Sequence, residues 1–397
     1  MIPKVILEFC IKTIIELALL DAIENFSVPI IPPTTHFWMI RTKKGYFYNE
    51  FLSKRFVALA WNNISQETDF SESNKDSLKD DILMTFKEIH RPSTVINKCH
   101  SFIYEIKTND ILVIPSAKSS YITFALAGEY YEDDSKTLEL EQNVIYRIDN
   151  HDVDINDVSC PYKKRRHITL LRTVKNEELN YSLCRAISNY HGISNLDSYS
   201  KQILNALYNY YMFGNDMSFV LNVRKQTPIG PRSINNVLYG TTELLTSIAS
   251  EECISTQVSL NSPGDIVFSL VNVKNLLVDN WQFIFAILVF LGGGSALSFK
   301  VPGAIDIVKS IFSAKDDYRI KHAEAEKAEL EVLEKKADLL QKIKDSGINP
   351  ESLKNPVDAL LTGCTTLEVE PIILDDASAA NVPLATEVQE SPDIEDE

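Results

Sequence analysis

The run YITFALAGEYY, Tyr121 to Tyr131, carries aromatic or β-branched side chains at most of its positions and a single glycine. That composition favours a pleated strand over a helix. Working outward, DILVIPS (Asp110 to Ser116) is a short apolar run closed by turn residues, and RHITLLRTV (Arg166 to Val174) is a second long β-rich segment. RFVALAW (Arg55 to Trp61) is nearly continuous in apolar residues, as a strand buried on both faces should be. HFWMIRT, from His36, and VIYRI (Val144 to Ile148) complete about six expected strands, with Ser101 to Ile106 alternating weakly. A helix is expected at Ser71 to Lys87, where acidic residues gather near the start. The expectation for 34–177 is a small curved sheet or barrel.

Residues 1–33 read as an amphipathic helix and a linker. Lys4, Glu8, Lys12, Glu16 and Glu24 fall at multiples of four along an otherwise apolar cylinder, and Pro29, Pro32 and Pro33 end it. The same charges interrupt the apolar run, so the segment lacks a signal-peptide layout. A second α+β unit is expected over 178–300. It has a helix from Ser200 to Tyr211, a strand in MSFVLNV, a helix from Ser233 to Ser250 and a strand in ISTQVSL. Ser262-Pro263-Gly264-Asp265 reads as a helix start, with serine as cap and proline at the first helical position. The helix is expected to run on to Gly292. A charged helical arm is expected over 301–362, with Leu330, Leu333, Ala337 and Leu340 at coiled-coil spacing. This seam, within 323–344, is the expected place for self-association or a partner helix. Residues 363–397 are expected to form an acidic tail, because 11 acidic residues and no lysine or arginine follow Lys354. They account for most of the net charge of −16, so overall acidity says little about the body.

Trp281 to Phe299 is 19 residues without a charge, at the lower edge of bilayer-spanning length. Only its first half is densely apolar, so a buried helix is favoured over a span. The six cysteines are scattered singly, and a chain of 397 residues can build a core without disulfides. Free thiols in a reducing, cytoplasmic setting are expected.

Catalytic signatures are missing. There is no HExxH, CxxC pair, GxSxG, Walker A or GxGxxG, and glycine, at 13 residues, is scarce. Glu334-Lys335-Lys336 has the letters of a nuclease E-x-K motif but sits in the charged helix, where such letters are ordinary. No enzyme activity, metal or cofactor is assigned. One constellation stands out. Trp38, Trp61, Tyr48 and Tyr121 flank the expected strands, Arg41, Lys43, Lys44, Lys54 and Arg55 are interleaved with them, and Lys163, Lys164, Arg165 and Arg166 open the last strand. Aromatics with cations serve base stacking and phosphate contact. The competing reading makes both tryptophans core residues and the basic run a solvated strand end.

The run FWMIRTKKGYFYNEFLSKRFVALAWNNIS, then FIYEIKTNDILVIPSAKSSYITFALAGEYY, then YKKRRHITLLRTV, resembles the N-terminal PUA-like module of Mrr-type restriction proteins and, more broadly, EVE domains. The resemblance covers roughly 36–175. Trp61 and Asn62 match the strand-end W-N, Ser116 matches the serine after the hydrophobic strand, and Trp38 and Arg41 match the opening. Two departures stand against it: the spacing from Gly128 to the basic strand is long, and the usual nuclease domain is absent.

The resemblance implies an α+β chain with a PUA-like β-barrel, followed here by a small α+β unit and a long helical C-terminal arm. It implies a non-enzymatic sensor of nucleic acid or a modified base, of prokaryotic defence type. Trp38, Arg41, Trp61, Asn62, Ser116 and Tyr121 would line the base pocket, and Lys163 to Arg166 would touch phosphates. The alternatives are a membrane-associated effector anchored through 281–299 and a purely structural assembly protein.

Overall fold

A computed structural model describes residues 17–18, 20–154, 157–189, 192–259, 264–273, 279, 281–291, 326–372 and 374–375. The fold is mixed α+β, with two six-stranded sheets. The described residues divide into two compact units, one within 34–207 and 373–383, the other within 1–33 and 208–372.

In the first unit the strands are β2 (Phe37–Ile40), β3 (Phe56–Leu59), β4 (Ile111–Pro115), β5 (Tyr121–Glu132), β6 (Lys164–Lys175) and β7 (Ile193–Asn195), counting the short Ile30–Ile31 of the other unit as β1. Their order is β3-β6-β5-β4-β2-β7. Neither β3 nor β7 pairs on its outer side, so among the described residues this sheet is open rather than a closed barrel. All of β4 and residues 122–127 of β5 are buried, as their unbroken apolar runs require. β5 shifts register against β6 twice, between Phe124 and Ala125 and between Ala127 and Tyr130, and such bulges bend a strand. The unit extends past the expected boundary at 177. β7 pairs antiparallel with β2, and the helices Tyr181–Asn189 and Ser200–Leu207 belong to it.

Two local expectations here are corrected. Val144 to Ile148 is not a strand but the end of the helix Leu138–Asp149. Thr137 Oγ1 caps the helix by accepting from the Leu140 amide, and Glu139 and Glu141 occupy its first turn. These start signals outweigh the β propensity of five residues. Ser101 to Ile106, read as weakly alternating, contains a π-helical turn at Ser101–Glu105 that extends the helix Pro92–His100.

The second unit carries the order β1-β8-β9-β11-β10, where β8 is Tyr210–Phe213, β9 Asp216–Val223, β10 Ile254–Ser259 and β11 Gly264–Leu270. A two-residue strand, β12 (Val369–Glu370), also pairs with β9. The expected helix from Ser262 does not form over Gly264 to Leu270. That segment is the strand between β9 and β10, and Ile266, Val267 and Phe268 are buried in it. Cross-strand pairing of β-branched and aromatic residues wins over the start signal. The apolar helix is shorter than expected, Trp281–Leu291, and among the described residues no helix is long and apolar enough to cross a membrane.

The helical arm of the sequence reading is integrated into this unit. The helix Glu326–Asp345 buries Val332, Leu339 and Ile343 in the core shared with Trp281–Leu291 and with the helix Pro350–Thr366. The expected seam is rotated: Leu340 is buried, but Leu330 and Ala337 are exposed and Leu333 is half-buried. A further helix, Pro350–Thr366, begins in the arm and runs into the expected tail. Asn349 caps it, Pro350 opens it, and Cys364 and Leu367 are buried. Residues 1–16, 292–325 and 376–397, which include most of the N-terminal helix, the end of the apolar stretch and the acidic terminus, lie outside the described residues.

Candidate functional site

A cleft of the first unit, about 730 Å3, lies between the end of β3, the helix Leu138–Asp149 and the segment 85–89. Its lining includes Ala58, Leu59 and Ile145, and its aromatic members are Trp61, Phe86, Tyr146 and Tyr162. Tyr146 is two-thirds exposed, whereas Tyr162 is buried. Gln142 ties one end by donating from Nε2 to the Thr85 carbonyl (3.2 Å).

Trp61 is the unusual residue here. Its φ is +68°, the left-handed region that a bulky side chain avoids. Strain of that kind, of order 1–3 kcal/mol, persists only where surrounding bonds impose it. The bonds are present. The Trp61 and Asn62 amides each donate to one oxygen of the Glu141 carboxylate, both at 2.7 Å. The Trp61 and Ile64 carbonyls accept from Lys164 Nζ at 2.6 and 2.8 Å. Glu141 is 2% and Lys164 0% exposed. Burial pushes Glu141 above the usual carboxylate range, against the pull of the two amides and of Lys164, and burial pushes Lys164 below the usual ammonium range. Asn62 completes the clamp. Its Nδ2 faces the carbonyls of Lys136, Thr137 and Pro161, and its Oδ1 accepts from the Lys163 amide (2.8 Å). The strand-end W-N is therefore a fastened turn, with the asparagine committed to main chain and Trp61 lining the cleft.

The basic run performs this fastening rather than facing solvent. Arg165 donates to the Tyr162 and Cys160 carbonyls, pairs with Asp133 (3.2 Å) and lies over the Phe56 ring. Arg166 bonds the carbonyls of Phe102, Ile103 and Gly128 between the rings of Phe102 and Tyr130. It thereby satisfies carbonyls that the end of the π-helical turn leaves open. Lys164, Arg165 and Arg166 are all under a tenth exposed, so they have no surface to offer a phosphate. Lys163 alone reaches outward, paired with Glu132 (3.1 Å) and Asp134 (2.9 Å).

The remaining expected site residues separate. Arg41 lines the cleft with Trp61, held by Ser119 Oγ (3.1 Å) and the Ile187 carbonyl. Trp38 is buried and donates from Nε1 to Asp110 (3.1 Å). It lines a different cavity and is not the opposite wall to Trp61. Ser116 and Tyr121 form the β4–β5 turn, where Ser116 Oγ accepts from the Tyr121 amide (2.9 Å), and neither lines the cleft. Sequence reasoning missed Glu141, Ile145 and Tyr146, which share one face of the helix it took for a strand. The signal was Thr137 followed by acids and then apolar residues at helical spacing.

The charges around the cleft balance: Arg41, Lys43 and Lys87 against Glu88, Glu141 and Asp149, with Lys43 and Asp149 paired at 3.2 Å. The cleft thus suits a largely uncharged group better than a polyanion. Compared with known proteins, the chain matches no family model, no curated protein and no solved structure.

Proposed function

We propose that the unit within 34–207 binds a single unstacked nucleobase, presented by nucleic acid, in the cleft beside Trp61, without catalysing a reaction. The observation that carries this reading is the strained Trp61 backbone, fastened on both sides by a buried carboxylate and a buried ammonium, which holds Trp61 in the lining of a cleft of about 730 Å3. A flat aromatic held in place is what base stacking uses, at roughly 1–3 kcal/mol per base. The PUA-like resemblance of 36–175 points to the same ligand class, with a modified base as its finer form.

The test is an anisotropy titration of the full chain with single-stranded oligonucleotides that differ at one base, plain or methylated. Trp61→Gly suits the left-handed backbone and removes only the platform, so it should weaken binding of the preferred base by about tenfold. Trp61→Phe should retain most of the affinity. A parent chain that binds no oligonucleotide, or a folded Trp61→Gly variant that binds as the parent does, ends the proposal.

A further inference from the structure

A second cavity of the same unit, about 410 Å3, lies between one face of the helix Pro92–His100 with its π-helical extension and the strand β7, with Trp38 of β2 at its side. Thr94, Asn97, Lys98 and Ser101 share that helix face at spacings of three and four. Lys98 is half-buried, and its ammonium makes no hydrogen bond or ion pair with any described residue. Its chain end is seated on Gly192. A Cβ there would stand 2.7 Å from Nζ, and the φ of +70° at that position also favours glycine. The side-chain hydroxyls of Thr94 and Ser101 and the amide of Asn97 make no side-chain hydrogen bond among the described residues; Thr94 and Asn97 are exposed and Ser101 is half-buried. Glu105, the acid of the lining, is turned to His100 (3.2 Å).

Half-burying an ammonium without a counter-ion is unfavourable, and burial pushes Lys98 below its ordinary range. An ammonium on the same face as hydroxyl and amide donors is the donor set that an oxyanion uses.

We propose that this cavity is an oxyanion site that takes a phosphate group, with Lys98 as its charge and Thr94, Asn97 and Ser101 as neutral donors. It goes beyond the base-binding reading and does not depend on it. The phosphate belongs either to a nucleic-acid backbone or to a free phosphorylated molecule, and the chemistry of the site is the same for both.

The test is lysine acylation of the full chain, read by mass spectrometry with and without inorganic phosphate. Phosphate should slow modification of Lys98 at least fivefold, while sodium chloride of equal ionic strength should not. In calorimetry, Lys98→Met should weaken phosphate binding tenfold or more, with the circular dichroism spectrum unchanged. Absence of protection, or a folded Lys98→Met variant that binds phosphate as the parent does, overturns the site. If the variant does not fold, protection in the parent chain decides alone. The source follows from oligonucleotide binding. A salt slope that falls by about one in Lys98→Met assigns the phosphate to the backbone, and an unchanged slope assigns it to a free phosphorylated molecule. Trp61→Gly should leave the protection intact, so failure of the base reading and failure of this one are separately visible.

Discussion

The two units share apolar cores and differ in what else they bury. In the Thr34–Leu207 unit, Glu141, Lys164, Arg165 and Arg166 lie in the interior and spend hydrogen bonds on main-chain groups of irregular turns, of the π-helical turn and of β5. In the Tyr208–Ile372 unit the core is mostly apolar, and two of its helices meet closely at glycines. A Cβ at Gly240 would fall 2.5 Å from the Pro356 carbonyl oxygen, and one at Gly363 would fall 2.5 Å from Val237 Cγ2. Helices satisfy their own main chain and can be pressed together wherever side chains are small. Irregular turns cannot satisfy theirs, and a long charged side chain reaching several carbonyls supplies the missing donors. Burying charge is therefore what lets the first unit fix a non-helical turn at the edge of a cleft.

The largest effect expected from this contrast is at Lys164. Lys164→Met keeps the volume but leaves Ile64 O without its donor and removes the cation facing Glu141, so it should cost about 3–5 kcal/mol in urea unfolding. A loss below about 1 kcal/mol would show that the turn holds without charge and would erase the difference between the units. Next is the helix Glu326–Asp345. Leu339→Asp should cost about 3 kcal/mol because Leu339 is 1% exposed, whereas Leu333→Asp should cost about 1 kcal/mol or less. Equal losses would restore the coiled-coil seam expected from sequence. Third, Gly363→Ala should cost about 1–3 kcal/mol by forcing the helices Pro231–Thr246 and Pro350–Thr366 apart. Gly230→Ala, with nothing within 4 Å, should stay within about 0.5 kcal/mol, both variants being read by urea unfolding.

The smallest effect sharpens the comparison from outside the core. His36 Nδ1 and Asp197 Oδ2 lie 2.7 Å apart with both side chains more than a third exposed. The hydrogen bond to Asp197 raises the His36 pKa above 6.5, so its contribution is full below the unfolded value and is lost as pH rises through the folded one. For Asp197, burial is outweighed by bonds from Asn195, His36 and Phe37, so its pKa is lowered. Its contribution is present above 3.8 and is lost as pH falls through the folded value. Stability from this pair should peak between those limits at less than about 1 kcal/mol, given its exposure. Asp197→Asn should lower the His36 titration midpoint by NMR, and an unmoved midpoint would show that the pair does not form in solution.

Much of the strand framework was legible because long apolar runs have few other places to go. FVAL, ILVIP and the first half of YITFALAGEYY are strands buried as their composition requires. Where five to seven residues were ambiguous, partners outside the window decided. VIYRI became helix because Thr137 starts one upstream, and GDIVFSL became strand because β9 and β10 flank it. The site residues Trp61, Asn62 and the basic run stood out in sequence, but their roles did not. Sequence shows that a lysine is present, not whether a carbonyl 100 residues away is waiting for it, as Ile64 O waits for Lys164.

The sequence by itself determined that the chain is α+β, that 36–175 is rich in strands and that Trp61-Asn62 and Lys163 to Arg166 are exceptional. All but Asn62, which only the PUA-like resemblance singled out, follow from periodicity and composition, which act over a few residues. Only the tertiary structure decided that the C-terminal helices belong to a core rather than an arm, because that depends on which face meets another element. It alone turned Lys164, Arg165 and Arg166 inward, placed Trp61 in the lining of a cleft and left Lys98 in a cavity without a described partner. Burial and hydrogen-bond partnership are set by contacts between segments far apart in the chain, and no local pattern carries them.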